Sequence, residues 1–136
     1  MSASTILVIE DSSYLADSLI DMLEMHNYNT LYSANGTDGV TIALEQHPDL
    51  ILLDIRLPDI NGYEVYRQIR ATAWGTTANI VVLTASESIE NIANNIDLPL
   101  SDVMFKPDWS MQQLADIIAK KLALPVTPPP LVEYEQ

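Results

Sequence analysis

Cysteine is absent from the 136-residue chain, and no apolar run approaches the roughly 18–20 residues that a transmembrane helix needs. Without cysteine the chain has neither a disulfide framework nor a thiolate metal site. Residues 1–5 carry no basic side chain, so a secretory signal peptide is not expected. Together these absences predict a cytoplasmic protein that does not act at a membrane.

Basic residues are also scarce. The chain has 6 Lys and Arg against 19 Asp and Glu, a formal net charge of -13, and every Lys and Arg lies beyond residue 55. A surface this acidic repels phosphate backbones, so direct binding of nucleic acid is not expected. It favours basic protein surfaces or cations as partners, although solubility alone explains most of the acidic residues.

The chain does contain short apolar runs that alternate with helical stripes, at a length that suits one domain. This alternation predicts a doubly wound α/β fold, a five-stranded parallel sheet with five helices on its two faces. We expect this domain to cover residues 1–123 and a proline-rich tail or linker to cover residues 124–136. The predicted strands are Ile6–Ile9, Thr30–Ala34, Leu50–Leu53, Ile80–Leu83 and Val103–Phe105. The predicted helices run from Ser12 or Ser13 to about His26, around Val40–Leu44 up to His47, over Tyr63–Arg70, over about Ile89–Ile96, and from Ser110 to about Leu122.

The stretch LILLDIRLPDING, Leu50–Gly62, is the centre of the functional argument. Four apolar residues lead directly into Asp54, and Leu-Pro and Asn-Gly pairs follow within eight positions. A short apolar run bounded by turn residues is typical of a strand that is buried on both faces. An acid at its carboxyl end is predicted to lie in the crevice where open α/β sheets bind ligands.

Polar residues also end three other predicted strands: Glu10 and Asp11, Thr84, and Lys106. These residues should meet Asp54, because the carboxyl ends of parallel strands share one edge of the sheet. Three adjacent carboxylates repel one another unless a cation lies between them, and hard oxygen ligands suit Mg²⁺. A carboxylate, a divalent cation, an ammonium and a hydroxyl are the groups needed to receive a phosphoryl group. Each residue alone has an ordinary reading as a cap, a turn or a solvated strand end, so only their coincidence is specific.

Four motifs carry a family resemblance: IED (Ile9–Asp11), LDIRLPDING (Leu53–Gly62), LTA (Leu83–Ala85) and FKP (Phe105–Pro107). With them the chain resembles a response-regulator receiver domain of two-component, His-Asp phosphorelay signalling, over about residues 5 to 122. The resemblance implies a flavodoxin-like sheet of order 2-1-3-4-5 in a single domain like the chemotaxis regulators.

The resemblance also implies the role of each residue. Asp54 would accept a phosphoryl group from a histidine kinase or a histidine phosphotransfer protein. Thr84 would bond a phosphoryl oxygen, and Lys106 would pair with Asp54 or its phosphate. Such a domain is a signalling phosphoacceptor rather than an enzyme with turnover, although it takes part in its own phosphotransfer and dephosphorylation. Phosphorylation would change its contacts with a downstream effector protein or domain, or with a second copy in a homodimer. Mg²⁺ or Mn²⁺ would be held by Glu10, Asp11, Asp54 and the backbone carbonyl of Arg56.

Three positions depart from the family pattern or tune it. Val103 stands where relatives commonly have an aromatic residue whose rotamer couples to the threonine, so the usual aromatic switch is absent. Arg56 and Ser86, each two positions past an active-site residue, occupy sites that set how fast the phosphoryl group hydrolyses in the family.

Two other functions compete with the phosphoacceptor switch. Val103 motivates a phosphorylation-independent, pseudo-receiver interaction module, although such modules usually lose one of the chemical residues and none is lost here. An aspartyl-nucleophile phosphatase would want a second aspartate two residues after the nucleophile, and Arg56 occupies that position.

The tail leaves two alternatives open. The chain could be a stand-alone receiver that signals by protein contact, or a receiver from a longer protein in which residues 125–136 begin a linker. We expect Leu131, Val132 and Tyr134 to pack on the domain or on a neighbouring chain.

Overall fold

A computed structural model describes residues 3–84, 103–105 and 110–123 of the chain. Its sheet has five parallel strands in the order β2-β1-β3-β4-β5, which confirms the predicted doubly wound, flavodoxin-like fold. The strands are β1 (Thr5–Ile9), β2 (Asn29–Ser33), β3 (Leu50–Asp54), β4 (Ile80–Thr84) and β5 (Val103–Phe105). The α-helices are α1 (Ser13–Met25), α2 (Gly36–Gln46), α3 (Gly62–Arg70) and α4 (Met111–Ala123), and a short 3-10 helix spans Gly75–Thr77.

Some predictions fall on parts of the chain that the structure does not describe. The described residues contain four α-helices, and the fifth, predicted over Ile89–Ile96, lies outside them. The tail contacts predicted for Leu131, Val132 and Tyr134 lie outside them as well. Among the described helices, none has the length and apolar character needed to cross a bilayer.

Alternate strand residues build two apolar layers, one on each face of the sheet. Leu7, Leu53 and Val82 belong to the cluster packed against α2 and α3, whereas Val8, Leu52 and Val81 belong to the cluster packed against α1 and α4. Every residue of β3 is buried, as its continuous apolar run predicts. Asp54 therefore lies at the carboxyl end of a strand that is buried along its whole length.

Side-chain caps set where the helices begin. Ser12 Oγ accepts the Leu15 N–H, which decides between the two serines predicted to cap α1. The Asn-Gly pair at residues 61–62 was predicted only as part of a turn, and a second Asn-Gly pair lies at residues 35–36. In the structure each asparagine is an N-cap and each glycine is the first residue of the next helix, so α3 begins one residue before the predicted Tyr63. The side chains of Ser110 and Gln113 each accept the other's backbone N–H in a reciprocal capping box that starts α4.

The end of α2 is also as predicted. The following Pro48 disfavours the right-handed α conformation at His47, which ends the helix, and His47 is a C-cap in the left-handed region with φ 49° and ψ 60°. Its ring stacks on Trp74, with centroids 4.5 Å apart and planes 6° from parallel. This contact covers the amino-terminal edge of the sheet, opposite Asp54.

The loop after β3 is tied to the start of α2. The two carboxylate oxygens of Asp59 each accept one backbone N–H, from Gly36 and from Thr37, both at 2.8 Å. The Thr37 side chain above all, with these N–H groups and that of Ile60, holds the pKa of the Asp59 carboxyl well below its usual range. The loop that follows Asp54 is thereby anchored to the first turn of α2, which packs beside α3 on the same face of the sheet.

We expect Asp59→Asn to lower the melting temperature at pH 7, because an amide offers one acceptor oxygen to two N–H groups. The native pKa of Asp59 is lowered, so its stabilisation is fully present above the unfolded value of about 3.9 and is lost as the pH falls below it. The difference between variant and wild type should therefore shrink below about pH 4. Melting curves at pH 7 and at about pH 2.5 measure this difference, and Glu45→Gln on α2, the helix that Asp59 contacts, is the charge control. A difference that stays constant over this range would contradict the assignment.

Candidate functional site

Three carboxylates converge at the carboxyl edge of the sheet. Glu10 and Asp11 follow β1, and Asp54 is the last residue of β3, the strand beside β1. One carboxylate oxygen from each lies within 4.8 Å of the other two. Glu10 and Asp54 are buried, at 2% and 5% exposure, while Asp11 faces solvent. The structure thus brings together the three acids that the sequence placed at one edge.

The junction between β1 and α1 holds Glu10. The Ser12 N–H donates to Glu10 Oε2 at 3.1 Å, and Ser12 is also the N-cap of α1. The acids therefore lie next to a helix N-terminus, whose partial positive charge favours them. This placement offsets part of the repulsion among the three carboxylates.

A tight return of the chain holds Asp54 in place. The Gly62 N–H donates to the Ile55 carbonyl at 2.8 Å. A Cβ on Gly62 would lie 2.5 Å from the Asp54 carbonyl oxygen and 2.7 Å from the Ile55 Cα. Only glycine allows this approach, because both obstructing atoms belong to the backbone of the strand end.

Thr84 is the last residue of β4 and is 1% exposed. The register pairs Asp54 with Leu83, so Thr84 lies one residue beyond the strand neighbour of Asp54. Val103 is buried in β5 opposite Val82, and Arg56 is exposed in the loop after β3. Lys106 and Ser86 lie outside the described residues.

The donor set fits a small hard cation. Carboxylate oxygens are the ligands that Mg²⁺ prefers, and Mg²⁺ commonly keeps several waters and bridges to phosphate. Mn²⁺ accepts the same oxygen ligands. Glu10, Asp11 and Asp54 each offer one carboxylate oxygen within 4.8 Å of the other two, and waters or further oxygen ligands can complete an octahedral shell.

Two supporting residues escaped the sequence argument. No role was predicted for Asp59, and Gly62 was interpreted only as part of a turn. The Asp59 carboxylate accepts two N–H groups of the first turn of α2, and Gly62 makes room for the Asp54 carbonyl. Their sequence signal was the Asp-x-Asn-Gly spacing after the proline, which indicates a turn but not the neighbour it will meet.

The fold and the acidic edge define a doubly wound α/β domain whose carboxylate cluster can hold a divalent cation, and comparison with known proteins identifies the family. Residues 6–119 match the family described as "Response regulator receiver domain". The chain therefore belongs to the response-regulator receiver family of two-component systems.

Two curated relatives show how similar the chain is to known proteins. The chain is 35% identical over 119 residues to the uncharacterized transcriptional regulatory protein YkoG of Bacillus subtilis, covering 88% of this chain and 51% of that protein. It is 34% identical over 82 residues to protein PilH of Pseudomonas aeruginosa, covering 60% of this chain and 68% of that protein. The chain thus spans about half the length of YkoG.

Solved structures agree on the fold. The receiver domain of the sensor histidine kinase PA1611 from Pseudomonas aeruginosa, with a magnesium ion in its active site cleft, has a TM-score of 0.81 and 29% identity, covering 90% of this chain and 100% of that one. A CheY-like receiver domain protein from Methanospirillum hungatei has a TM-score of 0.76 and 26% identity, covering 89% and 94%.

We expect Mg²⁺ to raise the melting temperature of the wild type at constant ionic strength, because the cation relieves repulsion among the three carboxylates. At about 100 times its dissociation constant, a ligand adds about 2.7 kcal/mol to the free energy of unfolding. Asp11→Asn should lose most of this increment and should be no less stable than wild type without the cation. Asp21→Asn, an equal charge change at an exposed position of α1, should keep the increment. Equal increments in all three proteins would argue against this cation site.

Proposed function

We propose that this domain is a phosphoacceptor switch that takes a phosphoryl group from a phosphohistidine onto Asp54, with Mg²⁺ or Mn²⁺ as cofactor. The donor would be a histidine kinase or a histidine phosphotransfer protein. The observation that carries the proposal is the convergence of Glu10, Asp11 and Asp54, with Thr84 at the end of the adjacent strand. Family membership supports it, as does the magnesium ion in the PA1611 receiver.

In the proposed reaction an Asp54 carboxylate oxygen attacks the phosphorus atom in line. The new P–O bond forms as the P–N bond of the phosphohistidine breaks, and its electron pair remains on the imidazole nitrogen. The Gly62 turn and the burial of Asp54 hold the nucleophile in one orientation, which lowers the entropic cost of attack. The cation, held by Glu10, Asp11, Asp54 and the Arg56 carbonyl, would supply positive charge against the phosphoryl oxygens.

Residues at the ends of the other strands would bind the phosphoryl group on Asp54. The Thr84 hydroxyl would donate to a phosphoryl oxygen, and Lys106 would pair with the phosphate. Val103 is buried and packed in the core cluster on the α2 side of the sheet. The switch would therefore act without the rotation of an aromatic side chain at this position, and Arg56 and Ser86 would set the lifetime of the phosphoaspartate.

The output would be a change in protein contacts. Phosphorylation adds charge to a crevice that already holds three acids, which biases a two-state arrangement of the surrounding elements. An effector protein, an effector domain or a second copy of the chain would bind the phosphorylated arrangement.

Incubation with acetyl phosphate and Mg²⁺ tests the proposal. We expect intact-mass spectrometry to show one added phosphoryl group, about 80 Da, on the wild type and none on Asp54→Asn. Asp21→Asn is the matched control and should be labelled like the wild type. Label should also be lost when the cation is removed with a chelator.

An unlabelled wild type, or equal labelling of Asp54→Asn, would overturn the phosphoacceptor assignment. If partner binding then proved insensitive to Asp54→Ala, the phosphorylation-independent interaction module would take its place.

A further inference from the structure

Both backbone polar groups of Glu10, its N–H and its carbonyl, are hydrogen-bonded to residues of β2. Its N–H donates to the Ser33 carbonyl at 3.0 Å, which extends the pairing of β1 with β2 by one residue. Its carbonyl oxygen accepts a hydrogen bond from the Tyr32 hydroxyl at 2.8 Å. The second bond comes from a side chain rather than from the strand ladder.

Tyr32 reaches this carbonyl from an unexpected distance. Its strand partner is Val8, so the phenol reaches past Ile9 to Glu10, two residues further along the chain. Tyr32 is 40% exposed and lies on β2, an edge strand of the sheet.

The segment that this bond holds carries two of the three acids. β1 ends at Ile9 and α1 begins at Ser13, so Glu10 and Asp11 lie in a three-residue connection with no regular structure. The Glu10 side chain is also fixed, because its Oε2 accepts the Ser12 N–H. The Tyr32 bond adds a constraint on the main chain from which both carboxylates project.

The affinity for Mg²⁺ should depend on such a constraint more than the affinity for Ca²⁺ does. Mg²⁺ demands near-ideal octahedral geometry at short distances, whereas Ca²⁺ accepts a flexible shell of six to eight oxygens. Groups that orient the ligands of a metal commonly contribute tenfold or more to its affinity. Loosening the connection after β1 should therefore weaken Mg²⁺ more than Ca²⁺.

We propose that Tyr32 is a positioning residue for the cation site: its hydroxyl, by bonding the Glu10 carbonyl, sets the placement of Glu10 and Asp11 and thereby the preference for Mg²⁺. This role rests on the proposed function, because it presupposes that the three acids bind a cation. It assigns to β2, which contributes no ligand, control over the selectivity of the site.

Calorimetric titration of Mg²⁺ and of Ca²⁺ into the full chain, wild type and Tyr32→Phe, tests the role. The variant removes one hydroxyl and keeps the ring. We expect its dissociation constant for Mg²⁺ to rise about tenfold and that for Ca²⁺ less than about threefold. The melting temperature without cation should fall by only a few degrees.

Tyr28→Phe is the matched control, since it deletes the same atom just before β2, at the opposite edge of the sheet, and should leave both constants unchanged. Tyr32→Phe with Mg²⁺ affinity within about twofold of wild type, or with equal losses for Mg²⁺ and Ca²⁺, would overturn the role of Tyr32. A wild type that binds neither cation would overturn the proposed cation site itself.

Discussion

Repulsion among three carboxylates is the constraint on which the rest of this structure depends. Glu10, Asp11 and Asp54 place one oxygen each within 4.8 Å of the others, and two of these residues are buried. Such a cluster persists only where the fold over-determines the backbone around it. A helix N-terminus, a backbone N–H to Glu10 and a glycine return beneath Asp54 supply that support. In the proposed function, a bound cation would relieve this repulsion before a phosphoryl group is transferred to Asp54.

The supporting contacts connect the site to elements that a partner can touch. Asp59 ties the loop after Asp54 to the first turn of α2, and the Tyr32 bond ties the connection after β1 to the outermost strand. In the proposed function, a phosphoryl group on Asp54 would act on segments that these bonds hold. Held segments have few alternative arrangements, which would favour a discrete switch over a gradual deformation.

Much of this was predictable from the sequence, because the signals were local. Apolar runs gave the five strands and their alternation gave the parallel sheet, so the acids at strand ends had to share one edge. The Tyr32–Glu10 and Asp59–Gly36 bonds join residues 22 and 23 positions apart, and no periodicity marks such pairs. The sequence likewise suggested a turn at Asn61-Gly62 but could not show which backbone would press against the glycine. The roles predicted for the site residues stay predictions, and Lys106 and Ser86 also lie outside the described part of the chain.

The most direct measurement is a crystal structure of the chain grown with Mg²⁺ and beryllofluoride, which imitates a phosphoryl group on a carboxylate. Our account predicts a beryllium atom bonded to one Asp54 carboxylate oxygen. It also predicts a cation about 2.0–2.1 Å from oxygens of the acidic cluster. An adduct on another side chain, or a fully occupied cation that contacts none of Glu10, Asp11 and Asp54, would contradict it.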